Sequence, residues 1–150
     1  AQLKRTTDYH TSPVLQAALA EYCRCGDYDA HLRRLRRTYR VRMAAAATAF
    51  SRHMPSRVRW RVPRGGYCLW VEMPAGISVD ELLARLGRDG VHVTPGRHFF
   101  AGEPDCGCFR MSISRTGVPE IERGIAIVGR HLRQLMAAPP GHAPATMPYV

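Results

Sequence analysis

Apolar residues recur at one period near the two ends of this chain and at another in its middle, and that change of period limits what it can fold into. Leu32, Leu35, Tyr39, Met43, Ala46, Ala47 and Phe50 stand at mixed spacings of three and four, and so do Ile121, Ile125, Val128, Leu132 and Leu135. That is the period of a helix with one buried face. Between them, Val58-Arg59-Trp60-Arg61-Val62 and Phe109-Arg110-Met111-Ser112-Ile113-Ser114 alternate apolar and polar residues. Such alternation belongs to strands with one face on a core.

Start and stop signals complete the order. Ser12-Pro13 opens a helix over Pro13–Cys25 and Gly26 closes it, as an N-cap, a Pro at the first helical position and a C-terminal Gly do. The long helix from Asp27 is ended by Pro55. PRGG is a turn between Val58–Val62 and the apolar run Tyr67–Met73, which makes a hairpin. Ser78 caps a short helix, with Glu81 completing a capping box and Gly90 after its end. Val91–Thr94 is a short strand, followed by the Pro- and Gly-rich loop PGRHFFAGEPDCG. In the closing helix Pro119 and Glu120 fall in the first turn and His131 and Arg133 in the last, as the helix dipole favours. The fold class is therefore α+β: a small, mostly antiparallel sheet with helices packed chiefly on one face.

The 150 residues are enough to remove roughly two thirds of the unfolded surface from water. No apolar run is long enough to span a membrane, and the first residues lack a signal-peptide pattern, so the expectation is a cytoplasmic protein without membrane partners. Five cysteines form an odd set, expected as reduced thiols. The pairs Cys23/Cys25 and Cys106/Cys108 lack the other half of a tetrahedral site, so no metal is expected. The seven histidines, His10, His31, His53, His92, His98, His131 and His142, fall in no metal or nucleophile motif. The Gly-containing turns are not phosphate loops.

The net charge of +10 points to a polyanion. Lys4, however, is the only lysine among 22 basic residues, a bias toward arginine everywhere rather than at one site. Arg33, Arg34, Arg36, Arg37 and Arg40 are spread around the long helix instead of forming one stripe. A basic nucleic-acid-binding or interaction module is the alternative reading.

Arg110 is the more specific candidate. On an alternating strand it shares its face with Cys108 and Ser112, small residues that leave it room, while Phe109 and Met111 point the other way. A cation on a central strand is either paired or wet, because burying it alone is costly. Its partner is a ligand carboxylate, which the guanidinium fork grips with two donors, or an internal Asp or Glu.

The ordered segments HTSPVLQAALAEYCRCGDYDAHLRRLRRTYRVR, RVPRGGYCLWVEMP, GVHVTPGRHFF, FRMSIS and VPEIERGIAIVGRHL resemble the C-terminal small domain of class I/II, fold-type I, pyridoxal-phosphate-dependent aminotransferases. The likeness is nearest to the branch shared by MocR-type GntR regulators and 2-aminoadipate-like aminotransferases. It implies that Arg110 binds the α-carboxylate of an amino or keto acid, and that Gly66, Tyr67, Pro95 and His98 border the mouth of the site. It also implies pyridoxal 5'-phosphate in the complete protein, a homodimer, and DNA contact only through an N-terminal domain outside this chain. Residues 1–54 would be connecting helices, 55–136 the small domain and 137–150 a flexible tail. The lysine that holds the cofactor lies upstream of the HTSP segment in this family, and Lys4 is too close to that segment to match it. The chain is therefore expected to hold no cofactor and to have no catalytic activity by itself.

Overall fold

The computed structural model describes residues 11–102 and 106–137. They fall into two compact units, one ending at Thr38 and the other beginning at Tyr39. In the first, helix α1 spans Pro13–Arg24 with Ser12 at its N-cap and Pro13 in its first turn, although the Ser12 side chain makes no capping hydrogen bond. Cys25 is the C-cap residue rather than part of the helix. Gly26 then turns the chain into helix α2, Asp27–His53, which has Asp27 and Asp29 in its first turn and Arg52 and His53 in its last, and whose residues from Tyr39 onward belong to the second unit. Those charges complement the helix dipole at both ends.

The second unit holds a sheet of four strands: β1 (Arg59–Trp60), β2 (Cys68–Glu72), β3 (Thr94–Pro95) and β4 (Cys108–Ser112), in the order β1-β2-β4-β3 with every pair antiparallel. Helix α3 (Val79–Arg88) and helix α4 (Val118–Ala137) complete it. Leu69 and Val71 of β2 and Phe109 and Met111 of β4 enter one core with Leu82 and Leu86 of α3, with Ala46, Ala49 and Phe50 of α2, and with the inward face of α4. That face is Ile121, Ile125, Val128, Leu132 and Leu135, all buried. The structure is thus the α+β layer expected from the periodicity.

Polar contacts close the helix ends. Ser78 Oγ accepts from the Glu81 amide at 3.2 Å, which satisfies a donor that the first turn of α3 leaves open. The Arg133 guanidinium of α4 donates to the His53 carbonyl at 2.6 Å, closing the end of α2. α4 approaches there so closely that a Cβ on Gly129 would collide with the same carbonyl. Arg42 donates to the Ser114 carbonyl at 2.6 Å and to that of Ile113 at 3.3 Å, fixing the chain where it leaves β4.

Three expectations need correction. The strand expected at Val91–Thr94 is confined to Thr94–Pro95, because the Val91 amide is already spent on the Leu86 carbonyl at 2.9 Å, closing α3. β1 is shorter than Val58–Val62, and short edge strands leave few unpaired backbone groups to recruit another chain. His131 and Arg133 are not in the last turn of α4, which runs on to Ala137 and has no basic residue there. Apart from Ala137, the expected tail lies outside the described residues, as does Lys4. Among the described residues no helix is long and apolar enough to cross a membrane.

Candidate carboxylate-binding site

The strand period that drives Phe109 and Met111 into the core sends Cys108, Arg110 and Ser112 to the opposite face. Register places Arg110 between Trp70 of β2 and Thr94 of β3, so the cation stands on the second strand in from an edge, with a neighbour on each side. Its guanidinium carbon lies 4.6 Å from the centre of the Phe99 ring, within the range where a cation is attracted to an aromatic face. Phe99 ends a single 3-10 turn, Gly96–Phe99, that follows β3.

Arg110 Nε is fully buried and has no hydrogen-bond partner. Acids on neighbouring elements are committed elsewhere: Glu72 to Arg59 at 3.3 Å and Asp80 to Arg97 at 2.7 Å. Among the described residues no carboxylate pairs with Arg110. A buried donor without a partner costs about 1–3 kcal/mol, and a cation on an aromatic ring returns roughly 0.5–2 kcal/mol. The arrangement leaves one buried donor of a planar guanidinium without an acceptor, and a guanidinium of this geometry is able to bind a carboxylate through two parallel hydrogen bonds.

The other sequence candidates occupy two places. Pro95 is in β3, paired with Phe109, and His98 is exposed on the 3-10 turn, so both sit on the segment that covers the Arg110 side of the sheet. Gly66, with φ of 84°, and Tyr67 precede β2. The Tyr67 ring packs against Tyr39 with centroids 5.5 Å apart, and its carbonyl accepts from the Ile113 amide at 2.9 Å. Arg33, Arg34, Arg36, Arg37 and Arg40 are all exposed. Phe99 and Trp70 escaped the sequence reading. PGRHFF gives no sign of which aromatic ring will meet which strand, since that pairing depends on register.

All five cysteines are free thiols. Cys108, on the Arg110 face, is buried. Its thiol titrates above the ordinary range, chiefly because burial disfavours the thiolate, with the nearby Cys106 and Glu72 adding to the effect. That makes Cys108 a poor nucleophile.

No family model matches the chain. It is 33% identical over 136 residues to the 2-aminoadipate transaminase of Thermus thermophilus, covering 91% of this chain and 34% of that protein. Over the same length it is 33% identical to an uncharacterised HTH-type transcriptional regulator of Bacillus subtilis, covering 91% of this chain and 28% of the regulator. The chain therefore spans about a third of the length of the curated relatives it matches. Among solved structures, the crystal structure of LysN, an alpha-aminoadipate aminotransferase from Thermus thermophilus complexed with N-(5'-phosphopyridoxyl)-L-leucine, superposes with a TM-score of 0.81 at 33% identity. That match covers 91% of this chain and 35% of LysN. By sequence and by fold, the chain belongs to the C-terminal region that fold-type I, class I/II aminotransferases share with MocR-like HTH regulators.

Proposed function

We propose that Arg110 grips the α-carboxylate of an amino-acid or keto-acid ligand in a pyridoxal-phosphate aminotransferase or aminotransferase-like regulator of which this chain forms the C-terminal region. The observation that carries the reading is the buried, unpartnered Nε of a guanidinium held at mid-strand with no acid beside it among the described residues. The LysN complex, which contains a phosphopyridoxyl-leucine adduct, supports an amino acid as the ligand class. Gly66, Tyr67, Pro95 and His98 would then border the mouth of the site. Residues 1–54 would connect to the rest of the protein, 55–136 would be the small domain and 137–150 a tail, in a cytoplasmic homodimer. DNA binding, in a regulator, would belong to an N-terminal domain.

The described residues fit the ligand's carboxylate better than the cofactor. The cofactor is anchored by a lysine amine, and the only lysine of the chain, Lys4, lies outside the described residues and too near the HTSP segment to match it. When bound, pyridoxal phosphate supplies an electron sink. What Arg110 supplies is orientation, since a bidentate contact fixes both the position of the ligand and the plane of its carboxylate. This stretch of chain alone is not expected to transaminate.

In the whole protein loaded with pyridoxal phosphate, an L-amino acid should shift the visible absorbance of the cofactor. Arg110→Met should raise the half-saturating amino-acid concentration roughly 10- to 100-fold, the loss expected for a charge-assisted hydrogen bond. Arg110→Lys should fall between, because an ammonium lacks the fork. An unchanged titration in Arg110→Met would remove Arg110 from the site.

A further inference from the structure

We infer that Phe99 is a positioning residue for Arg110: its ring holds the guanidinium by one face and so presents the donor edge to a ligand carboxylate. The inference rests on the carboxylate reading of Arg110 and adds the residue that sets the cation's orientation.

The 3-10 turn is brought to the Arg110 face by three separate features. Thr94 and Pro95 pair with Arg110 and Phe109, which delivers the chain to this side of the sheet. At the next residue, a Cβ on Gly96 would collide with the thiol sulfur and carbonyl of Cys108, so only glycine lets the backbone settle onto β4. Arg97 then binds Asp80 in the first turn of α3 at 2.7 Å. Phe99 is left over the guanidinium at 4.6 Å.

A second layer of rings supports the first. Trp70, the cross-strand neighbour of Arg110, meets Phe99 edge-on, with centroids 5.8 Å apart and planes at 79°, and meets Phe100 at 5.9 Å and 48°. Edge-to-face geometry of this kind is attractive beyond the area it buries. Phe99 and Phe100 nevertheless remain 47% exposed, so the core does not hold them, and contact with Arg110 and Trp70 gives the half-exposed pair a reason to sit here. The donors of a guanidinium lie in its plane. A ring against its face would restrict rotation of the group and leave the terminal N–H groups, unlike the buried Nε, for a ligand to reach, whereas an acid at the edge would have occupied the ligand's place.

The test uses the 150-residue chain and the Nε–H resonance of Arg110 in a nitrogen-15 correlation spectrum, titrated with sodium acetate against sodium chloride at equal ionic strength. In the wild type the Nε–H should be displaced upfield by the ring beneath it, and acetate but not chloride should move it. Phe99→Leu should lose the upfield displacement and need roughly fivefold more acetate for the same response, the factor that a cation–aromatic contact is worth. Phe99→Tyr should retain both properties. Core amide resonances around Leu82 and Ile125 report whether each variant has kept its fold, and the tyrosine variant keeps the test decisive if leucine disturbs it, because loss of the displacement in a folded Phe99→Tyr would also refute the role. An Nε–H shift and acetate response unchanged in Phe99→Leu would overturn the positioning role. If Phe99→Leu loses the displacement but acetate moves Arg110 in neither protein, the carboxylate reading is the part that fails, and the role built on it falls too.

Discussion

The two faces of strands β2 and β4 are made from the same ten residues by simple alternation, yet they obey opposite rules. On the inner face Leu69, Val71, Phe109 and Met111 are buried against three helices, and that face lacks any charged group. On the outer face Trp70, Glu72, Arg110 and Ser112 remain partly or fully exposed, and Arg110 carries a buried nitrogen with no partner. The inner face spends its surface on stability. The outer face tolerates an unmet hydrogen bond, which the proposed carboxylate ligand would complete. Phe109 and Arg110 are consecutive residues, so one peptide bond separates the two rules.

That adjacency supplies the sharpest test. Phe109→Ala opens a cavity in the core and should cost about 3–5 kcal/mol, read as a lowered urea midpoint. Arg110→Met removes a half-buried cation without opening a cavity, and its stability should stay within about 1 kcal/mol of wild type or rise, because a well-packed apolar replacement of a buried ionic group is often neutral or stabilising. Equal losses in the two variants would erase the distinction between the faces. A smaller effect is expected where the helical layer is tightest. Gly129→Ala forces a Cβ against the His53 carbonyl and should cost roughly 1–3 kcal/mol, as overpacking does, with no change in any response of Arg110 to carboxylate.

The smallest effect belongs to the seam between α3 and α4. Asp89 accepts from His131 at 2.7 Å and from Arg130 at 2.5 Å, and the His131 hydrogen bond, with help from Arg130, holds its carboxyl below the ordinary range. A lowered folded-state value means that the unfolded chain binds the proton more readily. The stabilisation is complete above the ordinary carboxylate range and is lost as pH falls through the lowered value. The Tm difference between wild type and Asp89→Asn should therefore be open at neutral pH and close on acidification. A difference that persisted below the carboxylate range would contradict the assigned pairing.

Much of the architecture was legible beforehand. Each apolar position read onto the inner face of α4 is buried, Ser78 caps α3 by accepting from the Glu81 amide, although the Glu81 carboxylate pairs with Arg85 instead of closing the expected capping box, and Arg110 shares its face with Cys108 and Ser112. These features depend on residues a few positions apart, where the backbone period dictates which side chains meet. The misjudged elements depended on distant partners. Val91 has the composition of a strand, but its amide closes α3, and β3 starts later for that reason. His131 and Arg133 look like dipole partners for the end of their own helix, yet His131 binds Asp89 and Arg133 binds the carbonyl of His53.

The candidate site divides along the same line. Sequence alone determined the fold class, the inward face of each long element in the sheet layer, and the strand position of one unusual cation, because the periods of helix and strand are properties of the local backbone. Only the tertiary structure decided that no described acid reaches that cation, that Phe99 lies beneath it, and that Trp70 stands beside it. Those relations join residues far apart in the chain, and they exist only once strand register and the close approach at Gly96 have brought the turn onto the sheet.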